Sequence, residues 1–219
     1  CDMIIAIDGP SASGKSTTAR GVSDSLNFTH LDTGAMYRAV TLGLSDEKIG
    51  LSDKKTLVQF LESIDIYFDK NNAIWLNGKN VSSDIRTVEI SSKVSFVSAI
   101  PLVRNRMVKI QRIIASDTNC VLEGRDIGTI VFPNADFKFF LTADEKSRAE
   151  RRLNDLKAIG EMSSLEKVMN DLINRDYKDS TRANSPLKKS DDAIIIDTSR
   201  LGISKVIDKI VNIVKHKGH

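Results

Sequence analysis

Cysteine is scarce in this chain, and long apolar runs are missing altogether. Two cysteines, Cys1 and Cys120, cannot staple a small disulfide-dependent fold. Cys120 lies in the apolar run Cys120-Val121-Leu122 and reads as a buried small hydrophobe rather than a reactive thiol. No stretch approaches the ~20 apolar residues of a membrane-spanning helix, and no signal-peptide pattern is present, so the cytoplasm is the expected compartment. Cys1-Asp2, ahead of Met3, is expected to be an addition and is set aside. Charge of one sign is also short: 32 basic against 29 acidic residues leave +3, too little for a nucleic-acid surface. The basic residues are expected to gather round an anionic small molecule instead. There is no internal repeat and no low-complexity tract, which excludes a repeat array or a long disordered segment. What remains is 219 residues, 41% hydrophobic and 28% charged, the make-up of one compact domain with a small insert.

Apolar strand-like runs at 3–8, 28–31, 120–123, 136–141 and 193–197 alternate with helical stretches near 14–26, 34–45, 102–116, 144–159, 163–180 and 203–216. In the last of these, Ile203, Val206, Ile207, Ile210, Val211 and Val214 recur at helical spacing and predict a helix covering one sheet face. The alternation predicts an α/β fold: a parallel five-stranded sheet with helices on both faces and ligands at the carboxyl ends of the strands. Residues 64–81 break the pattern. Ile64 to Phe68, Asn71-Asn72, Ala73 to Leu76 and Asn77-Gly78 read as antiparallel hairpin strands, giving a β-rich insert near 60–98. The core is then expected over 3–59 and 99–219.

The residues Gly9-Pro10-Ser11-Ala12-Ser13-Gly14-Lys15-Ser16 fit G-x-x-x-x-G-K-[ST]. The chemistry needs each type. Small residues let backbone N–H groups curl round a phosphate without clashes. Lys15 is a mobile point charge for β- and γ-phosphate oxygens, and Ser16 offers a hydroxyl to Mg²⁺. A helix that starts near Gly14 adds its positive dipole end. An apolar strand before the motif and a helix after it argue against a chance match, so residues Gly9 to Thr17 are read as an ATP-type binding loop.

Three further clusters follow predicted strand ends or helices. In Asp32-Thr33-Gly34-Ala35-Met36-Tyr37-Arg38, Asp32 or Thr33 suits an N-cap, which leaves Arg38 unexplained. Glu123-Gly124-Arg125-Asp126-Ile127-Gly128 puts opposite charges between two glycines at a strand's carboxyl end, a poor fit to a solvated face. In the run Arg175 to Arg182, the pairs Arg175/Asp179 and Asp179/Arg182 suit either plain surface ion pairs or a site, and the spacing leaves both open. Arg148, Arg151 and Arg152 likewise suit a solvated helix face or a basic cover over a triphosphate. Several arginines round a phosphate loop suit phosphoryl transfer, where positioning and charge neutralisation do most of the work. No general base stands out near the loop, which points to an acceptor that is itself a phosphate.

These motifs, with Gly78-Lys79-Asn80-Val81, Ile85-Arg86-Thr87, Arg175-Asp176 and the run Gly124 to Pro133, strongly resemble bacterial-type cytidylate kinases from Met3 to about His216. The "DTGAMYR" and "GRDIGT-VFP" runs are far more specific than the phosphate loop. The resemblance implies ATP + CMP (or dCMP) ⇌ ADP + CDP on a core, a monophosphate-binding insert and a short lid near 148–182, with Mg²⁺ carried by ATP, in pyrimidine nucleotide metabolism. It implies a monomer with no nucleic-acid or membrane partner. By the same likeness, Ser11 faces the acceptor phosphate, Ala12 has no hydroxyl to offer, and Ser13 at most assists. Lys15, Arg38, Arg125 and Arg182 are implied as transfer residues, with Thr33 beside them on the acceptor phosphate. Ser95, Arg104 and Asp126 are implied as cytosine readers, and Arg175 and Asp179 as the ribose-facing pair. Thr33 stands where some members carry serine, keeping the hydroxyl. Lys178 stands where arginine is common and is left out of the site.

Two rival readings are weaker. A shikimate- or gluconate-type small-molecule kinase gives no reason for the insert or for paired Arg–Asp readers. A GTPase-like switch would want a guanine-reading Asn-Lys-x-Asp element at a strand end, and the sequence has none.

Overall fold

The computed structural model describes residues 2–217. In chain order, its first half holds β1 (Ile4–Asp8), α1 (Lys15–Leu26), β2 (Thr29–Asp32), α2 (Thr33–Asp46), α3 (Lys54–Ser63), β3 (Ile66–Phe68), β4 (Ile74–Leu76), β5 (Lys79–Asn80), α4 (Val88–Val97) and α5 (Pro101–Ile114). The second half holds β6 (Cys120–Gly124), β7 (Phe137–Thr142), α6 (Glu145–Ala158), α7 (Leu165–Thr181), β8 (Ile194–Asp197) and α8 (Ile203–Lys217). The chain divides into two compact units: one runs up to His30 and resumes at Asp117, the other is Leu31–Ser116. The division falls inside β2. No helix among the described residues is long and apolar enough to cross a membrane.

The first unit is built on a five-stranded sheet of order β2-β6-β1-β7-β8. β1 pairs in parallel with β6 and β7, and β7 with β8. Central strands buried on both faces carry no polar alternation, which is why Ile5, Ile7, Val121, Phe139 and Leu141 all reach the core. Ala19 and Val22 of α1 and Val206, Ile210, Val211 and Val214 of α8 pack on them. Full burial of each such Val, Ile or Leu contributes roughly 1.5–3 kcal/mol. The spacing of α8 therefore predicts its face correctly, except that Ile203 is 40% exposed. The register Asp8↔Gly124 brings the ends of β1 and β6 level, so the loops that leave them lie side by side at the sheet's carboxyl edge.

The second unit carries a three-stranded antiparallel sheet, β3-β4-β5. Two turns make it. Asp69 accepts from the Asn71 and Ala73 N–H groups, with Asn72 at φ 58°. Asn77 and Gly78 then both take positive φ, 48° and 77°, as a tight hairpin turn demands. Tyr67 stacks on its cross-strand partner Trp75 at 5.9 Å. The expected β-rich stretch over 60–98 holds strands only between 66 and 80; it begins inside α3 and ends with α4. Both helices have local causes. Asp53 caps α3, which buries Leu57, Phe60 and Leu61, and Thr87 caps α4 through Ile90 N–H. The compact unit, at Leu31–Ser116, is also wider than that stretch.

Candidate active site

The phosphate-loop residues lie in the first unit. A Cβ on Gly9 would sit 2.1 Å from the Leu141 carbonyl oxygen, and its φ is +152°, so no other residue fits there. Gly14, at φ +90°, turns the chain into α1. Lys15 is buried, and its Nζ donates to Pro10 O at 2.6 Å and Ser13 Oγ at 3.4 Å, so the loop wraps its own lysine. Burial first, then the Arg125 charge, holds the ammonium well below the ordinary lysine range, opposed by Glu123 and Asp8. Phosphate oxygens brought to the loop would favour the charged form.

Ser16 Oγ donates to Glu123 Oε2 at 2.6 Å, and the other Glu123 oxygen faces His30 Nε2 at 3.0 Å. Asp8, at the end of β1, accepts from the N–H groups of Ile127 and Gly128 at 2.9 and 2.8 Å. That anchors a single π-helical turn, Ile127–Val131, a geometry common at functional sites. Burial pushes the Asp8 carboxyl up to about 6; the two N–H bonds lower it, the Asp126 charge raises it, and the Lys15 charge lowers it. Asp126 is buried, and its carbonyl accepts from the Ile130 and Val131 N–H groups.

Arg125 sits between the loop and α7. Its Nη2 donates to Ser11 Oγ at 2.8 Å and its Nε to Asp179 Oδ2 at 3.1 Å. The other Asp179 oxygen lies 3.6 Å from Arg182 Nη1, and Arg182 Nε donates to Ser185 O. Asp179 is only 5% exposed. The surface-pair alternative for 175–182 is thereby overturned at Asp179, which joins two arginines beneath the surface. Arg175, half-buried on α7, adds its charge to the field at Lys15.

Two of the three arginines of α6 are tied down by the protein. Arg148 is buried and spends its guanidinium on Ala143 O, Ser11 O and Asp176. Arg151 donates twice to Thr198, whose hydroxyl in turn lies 3.0 Å from Ser13 O. Neither is a plain solvated residue. Beside Arg151, a cavity of about 220 Å³ is lined by Ser13, Gly14, Thr17, Thr18, Thr198, Leu201, Ile203 and Val206. It touches the loop at Gly14, on the side where α1 begins.

The second unit holds the remaining predicted residues. Asp32, not Thr33, caps α2 by accepting from Ala35 N–H, which leaves the buried Thr33 hydroxyl outside the cap. Arg38, one turn on, donates to Ser91 Oγ of α4 at 2.7 Å. Arg104 of α5 is buried, donates to Ser98 O at 3.0 Å, and lies 5.0 Å over the Tyr37 ring. Ser95, half-buried on α4, lies three residues before Ser98 and accepts from its hydroxyl through the main chain.

Sequence reasoning passed over Asp8, His30, Thr198 and the Arg148–Asp176 pair. Asp8 carried a signal, an acid closing a wholly apolar strand just before a glycine turn. The others depend on partners 28 or more residues away and carried none.

A parallel sheet with a glycine turn and a lysine-led helix at its carboxyl edge defines the P-loop kinase class of fold. Solved structures of a gluconokinase from Sinorhizobium meliloti 1021 and a shikimate kinase from Bacteroides thetaiotaomicron both align at TM-score 0.50 and 11% identity. They cover 99% and 97% of this chain and 98% of each of those chains; at that identity the likeness is one of fold. The family model for cytidylate kinase matches residues 5–216. A cytidylate kinase of Halalkalibacterium halodurans is 44% identical over 98% of this chain and 98% of its own. One of Chloroherpeton thalassium is 48% identical over 95% of this chain and 91% of its own. The chain belongs to the cytidylate kinase family.

Proposed function

We propose that this protein transfers the γ-phosphoryl group of ATP to CMP and dCMP, giving ADP with CDP or dCDP. The observation that carries the reading is Arg125, which spans from the Ser11 hydroxyl of the phosphate loop to the buried Asp179. A guanidinium fixed there, beside Lys15, suits an acceptor that arrives as a phosphate. Residues Gly9 to Thr17 take the triphosphate. Lys15, Arg38, Arg125 and Arg182 are read as neutralising the moving phosphoryl group, and Ser11 and Thr33 as steadying the acceptor phosphate. No proton needs to be removed from a phosphate acceptor, so the absence of a base in these roles costs the reaction nothing.

The donor set round Ser16 fits a hard cation: a hydroxyl oxygen fixed by a carboxylate, with nucleotide oxygens to complete the shell. Mg²⁺, held through Ser16 and the ATP phosphates, would supply charge neutralisation across the phosphates. Glu123 orients the Ser16 hydroxyl, and His30 orients Glu123.

Base choice follows from hydrogen-bond polarity. Asp126 and the Ser95 hydroxyl accept from the cytosine N4 amino group, and Arg104 donates to N3 and O2. Uracil reverses the first two positions, so Asp126 would meet a carbonyl and Arg104 an N–H. Arg175 and Asp179 face the ribose. The segments near 60–98 and 148–182 close over bound nucleotides and exclude water. A cytoplasmic monomer of pyrimidine nucleotide metabolism goes with this reading.

The test is coupled ADP release with CMP, dCMP, UMP, AMP, shikimate and gluconate as acceptors. CMP should exceed UMP by at least ~10² in kcat/KM, with AMP poorer still on size. Asp126→Ala should erase that preference by losing CMP. Equal use of CMP and UMP by the native protein would defeat the cytosine reading, and preference for a non-nucleotide acceptor would defeat the whole.

A further inference from the structure

Two residues of the phosphate loop are built into the α6–α7 helical hairpin. Ala12 packs on the hairpin's own small apolar cluster, whose buried members are Ala149, Val168 and Leu172. One residue earlier, both faces of the Ser11 main chain are held by the same hairpin. The Ser11 N–H donates to Asp176 Oδ1 at 3.2 Å, and the Ser11 carbonyl accepts from Arg148 Nη1 at 3.2 Å. The ring closes because Arg148 and Asp176 pair with each other. Their side chains are only 7% and 16% exposed. Arg148 is fixed in turn by Nε, which donates to Ala143 O at 3.1 Å just before the hairpin.

This arrangement has a mechanical content. Arg148 places Nε and Nη1 on protein oxygens, which ties it to the loop. Asp176 uses one oxygen on the loop amide and the other on Arg148, so neither job can be dropped without disturbing the other. The Ser11 hydroxyl, meanwhile, accepts from Arg125. A shift of the hairpin therefore moves the Ser11 peptide, and with it the seat of Arg125.

We propose that Asp176 and Arg148 are positioning residues that fasten the Ser11 peptide to the α6–α7 hairpin and so couple the hairpin's position to the aim of Ser11 and Arg125. The proposal rests on the kinase reading for its kinetic consequence, while its structural half stands on the free protein. Asp176→Asn keeps the shape but leaves one acceptor oxygen for two donors. Arg148→Lys keeps the charge and loses the fork. Asp176→Glu restores both oxygens.

Amide hydrogen exchange of the free protein, resolved residue by residue by NMR, is the direct readout. Ser11 N–H should exchange roughly tenfold faster or more in Asp176→Asn and Arg148→Lys, with partial recovery in Asp176→Glu and unchanged protection at Val22 of α1. In steady-state assays kcat should fall roughly 10-fold or more, while KM for ATP stays within about threefold, because the pair touches no substrate. If Asp176→Asn lost protection at Val22 as well, it would be unfolded, and Arg148→Lys then decides. Unchanged Ser11 exchange in the folded variants overturns the proposal whatever the enzyme's substrate. A raised KM for ATP with kcat held overturns it too, making Arg148 a nucleotide ligand. A native protein with no CMP kinase activity would instead sink the functional reading and leave the exchange result standing.

Discussion

The two units hold their arginines by different means. In the first, Arg125 and Arg182 converge on the buried Asp179, and Arg148 meets Asp176. In the second, the contacts of Arg38 include a serine hydroxyl, and those of Arg104 a carbonyl and a tyrosine ring. Carboxylate partners fix a guanidinium strongly but make the fold depend on the pair, since removing one member strands a buried charge. A hydroxyl or carbonyl contact directs a guanidinium without stranding a second charge when it is lost.

The comparison is broken most directly at Asp179. Asp179→Ala leaves two half-buried guanidinium groups without their shared carboxylate and should cost about 1–3 kcal/mol of stability, read by urea denaturation. A loss within the range of a surface pair would show that the buried network carries nothing. Next comes Lys15→Ala, which removes a buried loop side chain and should spare the fold. Turnover should fall by ~10² or more, about 2.7 kcal/mol on the barrier, with an unchanged circular dichroism melt. Near-native turnover would remove this loop from the chemistry.

Asp8 gives a pH test within the first unit. Its carboxyl is raised to about 6 in the fold against 3.8 when unfolded. The unfolded chain therefore gives up this proton first. The group's contribution is whole below pH 3.8, declines as pH rises to about 6, and is flat beyond. The stability difference between native protein and Asp8→Asn should fall across that window, by no more than about 1.4 kcal/mol per pH unit. A difference that rises there contradicts the burial. Smallest of all is Arg38→Ala in the second unit. CMP turnover should drop at least ~10-fold, with a smaller loss of stability than for Asp179→Ala. A melt as damaged as that of Asp179→Ala would erase the contrast between the units.

How far the sequence alone reaches depends on whether a signal is local. The phosphate loop, the capping of α2 and the apolar stripe of α8 are local, and each matches what the fold contains. The helix α3 carries a local signal too, Leu57, Phe60 and Leu61 at helical spacing behind Asp53, but only its end overlaps the expected insert near 60–98. α4 was harder, because Val88, Ile90, Val94 and Val97 are β-branched and suit a strand equally well. At the site, the arginines beside glycine turns declared themselves. Asp179 did not, since i,i+3 and i,i+4 charge spacing is the same whether a helix face meets water or Arg125. The pair Arg148–Asp176 was hidden for a geometric reason: it exists only once two helices have been laid side by side.

Cys120 offers a last consequence. Its side chain is fully buried at the start of β6, aligned with Ile4 of β1, and burial pushes its thiol up to about 12. A reagent that needs a thiolate in contact with solvent can reach it only when the central strands part. With Cys1 exchanged for serine, the chain becomes its own clock. The rate at which label accumulates under native conditions counts the rare openings of the sheet, without denaturant and without disturbing either set of arginines.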